Sequence, residues 1–199
     1  TILVFQNGPV SWAQDANPDV IFENEHKPIP VKGIPGDFIG KNWSDAEKND
    51  VLGLLKQTEA VSGGLVRRVI YYRPLRAYRT EKGGALDNSV PAFSYDETNA
   101  VVLRDSFFRL DPIARLGFLV HELTHLADVG RRISKSKEWA DLIHPGIRKI
   151  REMLGAPGTG ADVPTGSAAK EIARANGLPS TYAATAAGEA LAEIVAYHL

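Results

Sequence analysis

The segment LGFLVHELTHLADVGRR, residues 116–132, carries the pattern HExxH at His121, Glu122 and His125. On an α-helix, positions i and i+4 share one face, so both imidazoles can reach a single metal ion. Glu122 stands beside them, within reach of a water held by that ion. The set supplies two zinc ligands and a general base, the beginning of a zinc peptidase site.

Residue frequencies alone place this pattern in about one chain of this size in a hundred, and a surface helix with two solvated histidines would carry it too. The flanking residues decide between the readings. Leu116, Leu119, Leu123 and Leu126 form one apolar stripe at helical spacing, and His121, His125 and Asp128 fall on the stripe beside it. The helix is therefore expected to be largely buried. Its polar stripe then needs a partner, and a metal would provide one. Asp111 suits the N-cap and Pro112 the first helical position. Gly130 followed by Arg131 and Arg132 suits the C-terminus.

A catalytic zinc usually takes three protein ligands and keeps a fourth position for water. The continuation HExxHxxGxxH is excluded, since Asp128 and Arg131 occupy its glycine and third-histidine positions. A Glu about twenty residues on, within NExxSD, is also missing. Glu138 and Glu152 lie among Lys and Arg, where a solvated helix face explains them. The C-terminal STYAATAAGEALAEIVAYHL is rich in Ala, Leu, Ile and Val, yet holds Glu189 and Glu193 at i and i+4. Carboxylates are rarely buried unless paired or metal-bound. An end helix with a short acidic stripe is the competing reading.

With Tyr182 seven residues before Glu189, and Ala192-Glu193 after it, the chain resembles the family of anthrax lethal factor and the secreted clostridial Pro-Pro endopeptidases. That family combines HExxH with a Tyr and, seven residues later, a metal-binding Glu in an ExxAE context. The resemblance covers roughly residues 95–199. It implies His121, His125 and Glu189 as zinc ligands and Glu122 as general base. It further implies Tyr182 as an oxyanion-supporting hydroxyl, Glu193 as an acid that orients a ligand histidine, and Asp128 as a second such acid. Two departures stand out. The gap from His125 to Glu189 is long, with GAPGTGADVPTG as an inserted loop, and the motif reads HELTH rather than HEFGH.

Around the motif, Ser44 with Glu47 makes a capping box for a helix through about Val61, closed by Gly63-Gly64. TILVF, LVRRVIYYRP and RAYRT read as strands, and PAFSYD with AVVLRDSF as a hairpin. Two helices are predicted near 135–143 and 145–154, parted by Pro145-Gly146. A Gly/Pro loop covers 155–166, and helices near 167–176 and 184–198 finish the chain. The order predicts an α+β, zincin-like protein in one catalytic domain, residues 1–199. Its N-terminal lobe runs to about 130 and its helical lobe from about 131, with zinc in the cleft between. The strand before the motif helix, with Val101, Val102 and Leu103, is expected at the sheet edge. An extended peptide would dock there by strand addition, though an edge strand need not bind anything.

Composition agrees with a compact enzyme. The 199 residues are 44% hydrophobic, enough for one real core. A net charge of −1 points to no nucleic-acid surface. No apolar run approaches a membrane span. The absence of cysteine removes disulfides, thiolate metal sites and a Cys nucleophile together. Thr1, without an initiator Met or signal peptide, is expected to be a processed terminus or an expression boundary. A monomer exported by a bacterium, secreted or periplasmic, is the simplest fit.

The implied function is hydrolysis of a peptide or protein substrate. Zinc would polarise the carbonyl and activate water, Glu122 would carry the proton, and Tyr182 would help hold the oxyanion. Two alternatives stay open. A non-catalytic zinc module would have no use for Glu122 and would want a fourth protein ligand, with His144 and His198 among the spare histidines. The catalytic domain of a larger secreted toxin would share the chemistry and differ in delivery.

Overall fold

The computed structural model describes residues 19–23, 42–62, 68–72, 90–95, 99–156, 158 and 163–198. The strands expected at TILVF and RAYRT, and the Gly63-Gly64 helix end, lie outside them. The described elements are strand β1 (Asp19–Glu23), helix α1 (Asp45–Ser62), strands β2 (Arg68–Tyr72), β3 (Ala92–Tyr95) and β4 (Ala100–Leu103), then helices α2 (Pro112–Arg131), α3 (Lys137–Met153), α4 (Ser167–Ala175) and α5 (Ala187–Tyr197). Short 3-10 turns occupy Phe107–Arg109, Ile133–Lys135 and Tyr182–Ala184. Strands gather in the first half and helices in the second, an α+β arrangement. Among the described residues, no helix is long and apolar enough to cross a membrane.

The sheet order is β1-β2-β4-β3, with β1, β2 and β4 parallel and β3 antiparallel to β4. The predicted hairpin forms, with Asn99 in the left-handed region at its turn. It folds the opposite way from expectation. β4 is not the edge: Val101 and Val102 pair with β2 on one side and β3 on the other. Val101, Val102 and Leu103 are fully buried and cannot accept an added strand. The unbroken apolar run AVVL is the mark of a strand covered on both faces. Among the described strands, β3, with Ser94 in its middle, lies at the edge instead.

The local signals around the helices hold. Ser44 N–H donates to Glu47 Oε2 at 2.9 Å, and Glu47 N–H to Ser44 Oγ at 3.2 Å, a reciprocal capping box. Asp111 accepts the N–H of Ala114 at 2.9 Å, with Pro112 beginning α2. The far end of α2 runs past Gly130 to Arg131, and Arg132 rather than glycine takes the left-handed position, at φ 56°. Arg132 N–H bonds the Asp128 carbonyl at 2.6 Å, which ties that turn down.

α3 is one helix, not two. Ser136 caps it through the N–H of Trp139 at 3.1 Å, and it continues through Pro145. A mid-helix proline costs about 3 kcal/mol. The apolar positions Ile143, Ile147, Ile150 and Leu154 keep their 4-3-4 spacing across it, and all pack into the second core cluster. Burying that stripe outweighs the proline. Glu138 and Glu152 are exposed on this helix, as a solvated face requires.

Two clusters form the interior of the described residues. One joins α1, the sheet and α2 through Trp43, Val51, Leu54, Val101, Leu103, Phe107, Leu119 and Leu123. The other joins α3, α4, α5 and the Tyr182 turn through Ile143, Ile150, Ala173, Leu178 and Ala190. α2 faces the first with its leucine stripe and packs against α5 with its neighbouring side.

Candidate metal centre

α2 and α5 meet along a polar seam. His121 Nε2 and His125 Nε2 lie 3.1 Å apart, and each lies 3.2 Å from Glu189 Oε2. A tetrahedral ion with bonds of about 2.0–2.1 Å holds its donors about 3.3–3.4 Å apart. The triangle of two ring nitrogens and one carboxylate oxygen therefore has nearly the edge lengths such an ion needs. These three side chains could hold a metal ion, and among the described residues no fourth His, Asp or Glu joins the group. His144 and His198 are both exposed and stand outside it.

Each of these three side chains sits where local structure puts it. The i, i+4 spacing brings the two imidazoles onto one face of α2. Glu189 lies in the first turn of α5, where the helix dipole favours a carboxylate. Trp139 of α3 donates its indole N–H to the Ala187 carbonyl at 2.9 Å and so pins that first turn.

The electrostatics are those of a closely coupled group. Burial alone would lower the pKa of His121, but contacts with Glu189 and Glu193 and the charge of Glu122 outweigh it and raise it to about 9. Burial would raise Glu189, yet the two histidines hold it down to about 2. Without an ion, a proton on His121 balances the carboxylates. A divalent cation would take over that role, which is the physical sense in which the site fits one.

Glu122 is buried, and that burial raises its pKa. The charges of His121 and His125 and the hydroxyl of Ser94 pull the other way. A carboxylate poised upward from its usual range is a better proton acceptor near neutrality. Tyr182 is half exposed, and its ring centre lies 6.0 Å from that of His121. Burial first, then Glu189 and Glu122, push its pKa up to about 12, with Glu189 in hydrogen-bond contact. The phenol therefore keeps its proton over the whole neutral range.

Behind this triangle, His121 Nδ1 lies 3.2 Å from Glu193 Oε1. Glu193 Oε2 accepts the hydroxyl of Ser180 at 2.6 Å. Contacts with His121 and Ser180 lower the pKa of Glu193 against the effect of burial.

Asp128 departs from expectation. It lies on the histidine stripe but at the end of α2, and its carboxylate turns to the segment that follows. Oδ1 accepts the N–H of Ser134 at 2.8 Å, and Oδ2 accepts the Ser134 hydroxyl. Asp128 thus holds the turn after α2 and does not orient a ligand histidine. Unpaired N–H groups past the helix end draw in the nearest carboxylate. The supporting residues Ser94, Trp139 and Ser180 were not evident from the sequence. Ser94 lies two positions from the buried Ala92, on the same strand face, and its hydroxyl contacts Glu122.

No protein-family model, characterised protein or solved structure was found to match the chain.

Proposed function

We propose that the chain is a zinc-dependent peptidase. The observation that carries this reading is the triangle of His121, His125 and Glu189 with the buried carboxylate of Glu122 beside it. Two histidines and one glutamate are a donor set that catalytic zinc uses. A closed structural site would have no use for the buried carboxylate of Glu122. The resemblance to the lethal factor and Pro-Pro endopeptidase family supports the same reading through Tyr182, Glu189 and Glu193.

A bound zinc ion would supply a polarising charge for the scissile carbonyl and acidify a water. The chain's own groups do the rest. Glu122 accepts the proton of the attacking water and passes it to the leaving amine. The Tyr182 hydroxyl, still protonated, donates to the developing oxyanion. Glu193 accepts Nδ1–H of His121 and so leaves Nε2 free to ligate.

The zincin plan belongs to this reading: a lobe with the sheet and α2, a helical lobe with α3 to α5, and the site between them. β3 is the strand that suits an extended peptide. It stands last in the sheet order, and Ser94 places it next to Glu122. The test is to load the purified chain with zinc and expose it to a fluorogenic peptide library. Cleavage that disappears with a chelator and returns with zinc is expected. Persistent cleavage after complete metal removal would overturn the proposal.

A further inference from the structure

Ser180 uses one hydroxyl for two contacts. Its Oγ accepts the N–H of Ala183 at 3.2 Å and lies 2.6 Å from Glu193 Oε2. A serine hydroxyl has one proton, and an ionised carboxylate only accepts. The Ser180 proton therefore points at Glu193. The second oxygen of that carboxylate faces His121 Nδ1 at 3.2 Å. In the neutral imidazole that a metal would bind, an acceptor at Nδ1 selects the tautomer that carries its hydrogen there, and the lone pair of Nε2 then points at the triangle shared with His125 and Glu189.

The same hydroxyl also holds the Tyr182–Ala184 turn. Ala183 and Ala184 are fully buried, and Thr181 is almost so. Thr185 closes the other end, its N–H donating to the Tyr182 carbonyl at 2.9 Å and its hydroxyl at 2.8 Å. A line of hydrogen bonds thus runs from the turn that carries Tyr182, through Ser180 and Glu193, to a candidate metal ligand.

We infer that Ser180 is a positioning residue of the metal centre, orienting His121 through Glu193 while tying the Tyr182 turn to the same carboxylate. This role rests on the reading of His121, His125 and Glu189 as metal ligands.

Zinc affinity, measured by competition with a chromogenic chelator, tests it without any substrate. Ser180→Ala should bind zinc about tenfold more weakly, the low end of what outer-shell partners contribute. Ser180→Thr, which keeps the hydroxyl, should bind like the parent chain. The cobalt-loaded Ser180→Ala protein should show a shifted d–d absorption band. A purely structural serine would weaken binding independently of Glu193. Hence Ser180→Ala added to Glu193→Ala should cost no more than about twofold beyond Glu193→Ala alone, the non-additivity expected of one connected network. Parental affinity in Ser180→Ala, or additive losses in the double variant, overturns the role of Ser180 alone. If Ser180→Ala loses its helical circular dichroism, Ser180→Cys, a weaker donor of similar reach, must give the same ordering. Failure of the unsubstituted chain to bind zinc overturns the metal reading itself, and this role with it.

Discussion

His125 Nε2 and Glu189 Oε2 lie 3.2 Å apart although 64 positions separate them in the chain. The intervening residues build α3 and α4, whose apolar faces pack into the second core cluster. Packing of α5 against α2 then brings the carboxylate to the imidazoles.

Glu189→Ala should therefore abolish tight metal binding. Loss of one of three ligands is expected to weaken zinc by at least about a hundredfold, while the helical circular dichroism stays unchanged. Metal analysis after dialysis reads the outcome. Stoichiometric zinc in this variant would remove Glu189 from the ligand set.

Glu122→Gln separates binding from chemistry. Glu122 is not one of the three converging donors, so zinc content should match the parent chain. Peptide hydrolysis should fall by at least about a hundredfold, the usual loss when a general base is removed. Full turnover in the zinc-loaded variant would exclude the role.

Tyr182→Phe removes one hydroxyl from a half-exposed ring that already stands beside His121 and Glu189. Loss of one oxyanion donor costs about 3 kcal/mol in the transition state. Turnover should drop sharply, with KM and zinc content nearly unchanged. A ring that served packing alone would tolerate the change with no loss of kcat.

The coupled charges predict how pH acts. His121 is raised from 6.5 to about 9 in the folded, metal-free chain. Its contribution to stability is complete below 6.5 and is lost as pH rises through 9. Glu189 is lowered from 4.5 to about 2, so its contribution is complete above 4.5 and is lost as pH falls toward 2. The metal-free protein should be most stable between these limits, at about pH 4.5–6.5. Zinc must displace the His121 proton, so binding at pH 7.5 should release about one proton and tighten as the pH rises toward 9. Calorimetry in buffers of different ionisation enthalpy counts that proton. A release near zero would mean that His121 is neutral before the metal arrives.

Features held by contacts within a turn or two of helix could be read directly from the chain. The Ser44–Glu47 box, the Asp111 cap and the shared face of His121 and His125 are all of this kind, since their partners are three or four residues away. Glu189 and Glu193 could be singled out because two carboxylates in an apolar helix need partners. Their partner could not be found by spacing. Sheet order, by contrast, depends on which strand buries both faces, and this put β4 inside and β3 at the edge. The strength of the apolar stripe against the second cluster carried α3 through Pro145. Asp128 turned to Ser134 because the chain reverses there and presents unpaired donors. The contacts from His125 to Glu189 and from Glu193 to Ser180 link segments whose distance is fixed by how the helices pack, and no local periodicity encodes that distance.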